Sequence, residues 1–380
     1  MQELSSKERL LRTIRRADVD RVPISPRYFD YLNGVEGCCC VHHFIWFRDK
    51  HYHHDLMPIF KPEQSNYLLR LEGPYSDLLN VSVEIETKDT GADVVEVRRR
   101  FHTPAGILTD RRSVTRPGDA SGFEHILEGP VKDRSDLEKI RFMLPSPKGA
   151  YLGHIRILQE AIGDKGILLV SATQGVDQLL VDALGFQNAL IMYYDDRVLL
   201  IQLLRILNDY HRTILKRVLE LGMEVMFEPW YNCSMSVGWS PTQFRDLFLP
   251  LIKENADLIH SYGAYVDYYD DGKISAVLED VAGAGVDVIE TLGPPPIGDI
   301  DLGSAKKRVG DRVCLKGHID QINLICFGKP AQIREAVRQA MEVAKPGGGF
   351  IIGTSDSIRP ESPPENIKAY FEAAYEFGKY

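Results

Sequence analysis

The chain has 380 residues, 44% of them hydrophobic and 26% charged, and a formal net charge of −9. Such a composition belongs to a globular protein that buries a large core without disulfides or metal staples, and the acidic balance excludes nucleic acid as a main partner, because phosphate binding asks for a basic face. No run approaches the ~20 apolar residues of a membrane span, and the six cysteines, three of them consecutive at Cys38, Cys39 and Cys40, make no disulfide framework, so a soluble, cytoplasmic protein with reduced thiols is expected.

Residues 5–16 predict a helix, capped by Ser5 or Ser6, with Leu10, Leu11 and Ile14 on one stripe. Residues 21–25 read as a short buried strand. Residues 27–75 form an insertion rich in Tyr, His and Cys. It holds Cys38, Cys39, Cys40, His42, His43, His51, His53 and His54, which are zinc-ligand types. Without a paired CxxC and HxxxH frame, the segment reads as packed helix and loop. Residues 80–115 predict a β-ribbon whose two polar–apolar runs meet at a Pro104-Ala105-Gly106 turn. Arg98, Arg99, Arg100, Arg111 and Arg112 on it read as a solvated strand face.

From about residue 134 the pattern is regular. Strands are predicted at 167–172, 225–230, 264–269, 287–292, 312–317 and 349–354. Helices are predicted at 176–193, 196–221, 241–262, 274–284, 331–344 and 364–377. Repeated strand-then-helix units imply a parallel sheet. With the first strand and one more from the 30–90 region the count reaches eight, which predicts an α/β fold of the (β/α)8 TIM-barrel type. The whole of 1–380 then forms one barrel domain, elaborated by the N-terminal helical, Cys/His-rich insertion and the β-ribbon. A doubly wound open sheet is the alternative, but no GxGxxG follows a strand to make a nucleotide crevice.

Catalytic groups of a barrel project from the C-terminal ends of its strands. That rule selects Ser25 and Arg27, Thr173 and Gln174, Glu228, Tyr231 and Asn232, Tyr269, Asp270 and Asp271, Glu290, His318 and Asp320, and Ser355 and Asp356. Arg27 is either an anchor for a carboxylate or a surface residue. Glu228, set in an apolar run, is either an acid of raised pKa or the structural partner of an arginine. Asp270 and Asp271 point apart on an extended chain, so at most one faces the mouth, and the other is free to cap the helix near 274. His318 is a general acid or ligand, or else a core histidine. Asp356 is functional or a turn residue.

Several segments together resemble the superfamily of uroporphyrinogen decarboxylases and corrinoid-dependent methyltransferases. They are SSKERLLRTIRRADVDRVPIS at the start, SPTQFRDLFLPLIKENADLIHSYGAYV (240–266), DDGKISAVLEDVAGAGVDVIETL (270–292), RVCLKGHID (312–320), and the C-terminal stretch 328–378 with its PPEN. The resemblance runs in order along nearly the whole chain and implies a (β/α)8 barrel. True uroporphyrinogen decarboxylases carry an RQAGR-type motif near the first strand and a GHG histidine after the last. Here the first strand runs into SPRYFDYL, with only Arg27, and Asp356 takes the histidine position. The thiol-methylating branch holds zinc on an HxC pair and a late Cys; those positions fall on Tyr269, Asp271 and Asp356. An all-oxygen set suits harder cations than zinc, so a divalent metal on Asp271 and Asp356 is an expectation of the resemblance.

What the resemblance then implies is a methyltransferase that moves a methyl group from a small methyl ether or amine, aromatic ethers included, to a corrinoid held by a separate cobalamin-binding protein. Asp271, Glu228, His318 and Asp356 are the catalytic candidates, for protonating the leaving oxygen or stabilising its charge. Arg27, Tyr28, Gln174, Tyr231, Asn232, Tyr268 and Tyr269 are the substrate-binding candidates. A uroporphyrinogen decarboxylase-like carbon–carbon lyase is the alternative, and a non-catalytic barrel acting as a binding protein is a second. Barrels of this kind often pair, so a homodimer is a further expectation.

Overall fold

The computed structural model describes residues 3–27, 53–60, 80–91, 94–115, 124–144, 149–359 and 361–380. Tyr28, Cys38, Cys39, Cys40, His42, His43 and His51 lie outside these residues, so the Cys/His-rich reading concerns only His53 and His54 below. In chain order the strands are β1 (Ile59–Phe60), β2 (Ser82–Asp89), β3 (Val94–Thr103), β4 (Gly106–Thr115), β5 (Glu124–Glu128), β6 (Leu169–Val170), β7 (Val225–Pro229), β8 (Tyr265–Asp270), β9 (Val288–Thr291), β10 (Cys314–Ile319) and β11 (Phe350–Thr354). The chain divides into two compact units, one made of 1–61, 149–171 and 215–380, the other of 62–148 and 172–214.

In the first unit, β1-β6-β7-β8-β9-β10-β11 make a seven-stranded parallel sheet. The strands are short and almost wholly buried, as parallel strands covered on both faces must be. The sheet curls. Past β11, Ile24 pairs in parallel with Ile352, and the Ser25 N–H donates to the Ile352 carbonyl at 2.9 Å. On the far side of Ile24 the Asp55 N–H donates to its carbonyl, also at 2.9 Å, and Leu56 pairs with Gly166 ahead of β6. The predicted strand at 21–25 therefore hydrogen-bonds to β11 on one side and, on the other, to Asp55 in the segment that leads into β1.

The N-terminal helix (Ser6–Ile14) starts where Ser5 Oγ accepts the Glu8 N–H at 3.2 Å. Its stripe of Leu10, Leu11 and Ile14 packs with Ile167, Val225, Val288 and Cys314, which stand at the starts of their strands. The apolar helix face thus plugs the N-terminal end of the sheet, leaving the C-terminal ends for chemistry. An ion-pair clasp holds this plug. Arg9 grips Asp20 at 2.7 Å and Asp55 at 2.7 Å, and Arg21 reaches Asp55 at 2.7 Å. Asp55 is fully buried and also accepts the Ile24 N–H. Two guanidinium groups hold its carboxyl below the usual range despite the burial, and the same partners bring Asp20 down to about 2. His53 stacks on Tyr375 with ring centroids 4.1 Å apart, and His54 tilts against Phe371, so both pack on the C-terminal helix (Pro364–Phe377).

The second unit carries the predicted ribbon, enlarged to a four-stranded antiparallel sheet in the order β2-β3-β4-β5. Thr103 pairs with Gly106 around the predicted turn. The arginines correct the expectation of one solvated face. Arg98 and Arg100 are exposed, but Arg99 and Arg112 alternate to the other face and are buried. There Asp110 pairs with both of them, and Glu124 takes Arg112 at 2.7 Å.

Two predicted helices are broken. The stretch 176–193 becomes Val176–Leu184 and Phe186–Asp195, parted by Gly185 at φ 78°, a left-handed turn that glycine adopts without strain. The stretch 241–262 becomes Pro241–Leu247 and Leu249–Ser261, where Pro250 has no N–H to continue the ladder. Helices Gly149–Ile162 and Leu302–Val309 add to the predicted set. Among the described residues no helix is long and apolar enough to cross a membrane.

Candidate active site

Alternation along the parallel strands sorts the site. On β8, Tyr265, Asp267 and Tyr269 share one face, and Val266, Tyr268 and Asp270 share the other. The first face carries the apolar cluster of Phe227 and Tyr269. Above that cluster Arg27 lies with its guanidinium 3.9 Å from the Tyr269 ring centroid and 5.2 Å from that of Phe227. Its position is set by the chain on either side of it. The Arg27 N–H donates to Thr354 Oγ1 at 3.1 Å, and the Arg27 carbonyl accepts from Ile358.

Beneath Arg27 is a buried ionic layer. Glu290 Oε1 lies 3.7 Å from Arg27, its Oε2 lies 2.5 Å from Lys316 Nζ, and Lys316 lies 3.8 Å from Asp267. Burial opposes the charge on Lys316, but Glu290 and Asp267 outweigh it and hold the ammonium above its usual range. Burial and then Glu290 push the Asp267 carboxyl well up.

At the strand ends the Tyr269 hydroxyl lies 3.2 Å from Asp271 Oδ2 and 3.4 Å from Asp356 Oδ1. Burial pushes this phenol well above its ordinary range, so it remains a neutral donor. One hydroxyl hydrogen cannot serve both carboxylates at once. Asp271 is exposed at the strand end, yet partial desolvation by the neighbouring protein, followed by the Asp356 charge, raises its pKa. Tyr231 sets its ring edge-on to Tyr269 at 5.2 Å. The neighbouring Asn232 is half-buried, with its carbonyl taking the Trp239 indole N–H at 2.8 Å.

The remaining candidates have other company. Glu228 follows Phe227 and faces the helix layer, where Asn255 Nδ2 donates to it at 3.5 Å. Tyr268 is on that side too, its hydroxyl donating to Asp270 at 3.4 Å beside the Cys233 thiol. His318 Nδ1 lies 3.0 Å from the Leu292 carbonyl, and burial lowers its pKa. Gly317, just before it, packs so closely on β9 that a Cβ there would sit 1.8 Å from the Thr291 carbonyl oxygen. Of the four catalytic candidates the structure brings together Asp271 and Asp356, and gives Glu228 and His318 separate partners. Asp270 accepts the Gly272 N–H, and the turn at 274 is held by Asp299 instead. Gln174 lies half-buried in the second unit, one residue after Thr173, whose hydroxyl lies 2.8 Å from His211 Nδ1.

The donor set bears on a metal. Among the described residues no three His, Cys, Asp or Glu side chains gather as a metal-binding group. Asp271 and Asp356 give two carboxylates, and Tyr269 between them keeps its proton. That set lacks the thiolate and imidazole ligands zinc favours, whereas two carboxylates with waters at the remaining positions would suit a hydrated hard cation.

Lys316 and Asp267 escape the strand-end rule because they stand in mid-strand. Their signal is a charge in the middle of an otherwise largely apolar strand, Asp267 between Val266 and Tyr268 and Lys316 between Leu315 and Gly317, which only a polar layer inside the sheet accommodates.

A family model described as uroporphyrinogen decarboxylase (URO-D) matches residues 122–377. The chain belongs to that family. The uroporphyrinogen decarboxylase of Methylococcus capsulatus is 24% identical over 65% of this chain and 70% of its own. That of Prochlorococcus marinus is 24% identical over 76% and 83%. Among solved structures, a methyltransferase from Methanosarcina mazei superposes over 99% of both chains with a TM-score of 0.63 at 17% identity, a likeness of fold. The two curated relatives are decarboxylases by name, and the structural neighbour is a methyltransferase by name.

Proposed function

We propose that this URO-D family member is a methyltransferase that takes a methyl group from a small methyl ether or amine and passes it to a corrinoid carried by a separate protein. The observation that supports this most is the Tyr269 hydroxyl held within reach of both Asp271 and Asp356. The proposal treats 1–380 as one (β/α)8-barrel domain, with 27–75 and 80–115 as elaborations. The strand at 21–25, bonded on one side to β11 and on the other to Asp55, would be its eighth stave.

The reduced corrinoid supplies the nucleophile that accepts the methyl group. The chain's own task is the leaving group. When the methyl–oxygen bond breaks, the electron pair stays on oxygen, and an alkoxide or phenolate needs a proton. Asp271, with its raised pKa, donates it. Asp356 keeps that pKa up by charge repulsion, and Tyr269 stabilises whichever carboxylate is ionised. Arg27, neutralised from below by Glu290, braces the Tyr269 ring. The half-buried Tyr231 ring, set edge-on against the buried Tyr269, suits an aromatic ether.

A decarboxylase reading has the names of the curated relatives in its favour. It would use Arg27 as the anchor for acidic side chains. Arg27 is only 6% exposed, stacked on Tyr269 and facing Glu290, which leaves it poorly placed for that. The test is methyl transfer from a panel of methoxylated aromatics and methylamines to a reduced corrinoid protein. Turnover is expected, falling about 100-fold or more in Asp271→Asn, in line with loss of general acid catalysis. Carbon dioxide release from a porphyrinogen without methyl transfer would install the decarboxylase reading. Turnover of neither, with tight ligand binding, would leave a binding barrel.

A further inference from the structure

We propose that the loop 320–329, which follows β10, docks the corrinoid-carrying protein, with Phe327 as the apolar anchor and Lys273, Lys329 and Arg359 facing acidic side chains of that protein. The proposal rests on the methyl-transfer reading and adds the surface on which the carrier sits. Every residue it uses belongs to the first unit.

Loops that follow the strands of such a parallel sheet leave from one face. Asp271 and Asp356 lie on that face, just past β8 and β11. A methyl group passes between reacting atoms about 3–3.5 Å apart. A carrier that brings its cobalt to a molecule held by these acids must therefore rest on the same loops.

Phe327 follows the turn Gln321–Cys326 and is 78% exposed, as much as any large apolar side chain among the described residues. Ile322 and Leu324 are half-buried in the same turn. The backbone beneath Phe327 is tied at several points. Asp320 Oδ1 accepts the N–H groups of Ile322 and Asn323, both at 2.8 Å, and the Phe327 N–H donates to the Ile322 carbonyl at 3.1 Å. Asn366 Nδ2, from the C-terminal helix, donates to the Ile325 carbonyl at 3.0 Å and the Gly328 carbonyl at 2.8 Å. Ser355, the residue before Asp356, donates its N–H to the Ile319 carbonyl at 2.8 Å and its hydroxyl to Gln321. The loop is thus held in register with Asp356. An aromatic with two torsions on a fixed backbone loses little freedom when a partner covers it, which is the property of a binding hot spot.

Charge selects the occupant. The chain carries −9 overall, and its exposed Arg245, Lys253 and Arg334 each pair with a carboxylate. Lys273, Lys329 and Arg359 are exposed on the loops after β8, β10 and β11, and make no ion pair among the described residues. Unpaired cations around an exposed phenyl ring complement an acidic protein surface with an apolar hollow.

Methyl transfer to two acceptors tests this: the reduced corrinoid protein that supports wild-type turnover, and free cob(I)alamin. Phe327→Asp should raise KM for the corrinoid protein about tenfold or more and leave KM for the methyl donor unchanged. Its turnover with free cob(I)alamin, which needs no docking surface, should match the wild type. Lys329→Glu combined with Arg359→Glu should raise the same KM and remove the fall of kcat/KM with added salt that the wild type shows toward the corrinoid protein. Equal losses with both acceptors, or no change with the corrinoid protein, overturn the docking site while methyl transfer stands. So does a wild type that methylates free cob(I)alamin but no corrinoid protein. A Phe327→Asp effect that follows a change of oligomeric state in sedimentation would give the loop to a second copy of the chain instead. Methylation of neither acceptor removes the methyl-transfer reading itself, and the docking site with it.

Discussion

One phenol hydrogen lies between two carboxylates in this protein, and the pH response of the site follows from that. Asp271 has a raised pKa, and its protonated form is the one that can donate. Turnover should therefore fall as the pH rises through that pKa. Asp356→Asn removes the charge that helps to raise it. The fall should then move to lower pH, while the limiting rate in acid is largely kept. A kcat profile against pH for both proteins checks this, and an unmoved descending limb would remove Asp271 as the acid. Asp271 and Asp356 are legible in the sequence because each sits just past a strand, and that position alone fixes which end of the fold it occupies. Glu228 and Tyr268 satisfy the same rule but face the helices. The rule fixes height along a strand, whereas the two-residue alternation fixes the face. Reading β7 from Phe227, and β8 from Tyr269, separates the two faces in the same sequence. His318 is harder to anticipate, because positive φ at Gly317 and His318 interrupts the alternation.

Elements show where pattern suffices and where it fails. The ribbon is legible to the residue, since Val94–Thr103 and Gly106–Thr115 alternate in polarity and the turn residues between them are unambiguous. The helix breaks at Gly185 and Phe248 are not, because apolar periodicity carries on through a one-residue turn. The strand at 21–25 is legible as buried, but its bond to Asp55 is not, because it depends on a pairing across an insertion of unassignable pattern. That pairing is held by the Arg9–Asp20–Asp55–Arg21 clasp, which joins the N-terminal helix, the first strand and the 53–60 segment. Removing one member leaves buried charge without compensation. Asp55→Ala should cost about 3–5 kcal/mol of stability, since Arg9 and Arg21 lose their shared anion inside the protein. Lys7→Ala, whose pair with Glu224 is about a third exposed, should cost less than about 1 kcal/mol. Urea denaturation of both variants checks the contrast, and equal losses would show that the clasp is not what secures the plug.

At the scale of the whole molecule, two sets of carboxyl groups pull stability in opposite directions along the pH axis. Asp20 and Asp55 have depressed folded-state pKa values. Their contribution is fully present above the unfolded carboxyl value near 3.9 and is lost as the pH falls toward the folded value, about 2 for Asp20. Asp182 has the opposite sign. It is fully buried, Gln178 donates to it at 2.9 Å, and burial raises its pKa to about 7, against the pull of Arg112. Arg99 and Arg112 are already matched by Asp110 and Glu124, so an ionised Asp182 is a surplus anion. The unfolded chain releases that proton near pH 4 and the folded chain near 7, so stability declines across that interval, by up to about 4 kcal/mol above it. Asp267 acts in the same direction in the first unit, since its carboxyl is also pushed well up. The two tendencies cross near the unfolded carboxyl value, which puts the stability maximum in acid solution, at about pH 4, rather than at neutrality. Thermal melts from pH 3 to 9 should show a steep acid side and a gentler decline above the maximum. Asp182→Asn keeps the shape and the Gln178 contact but has no proton to lose, so it should flatten the alkaline decline and leave the acid side in place. An alkaline side unchanged by that substitution would mean that Asp182 ionises in the folded protein as readily as in the unfolded chain, and that the surplus-anion account of the second unit is wrong.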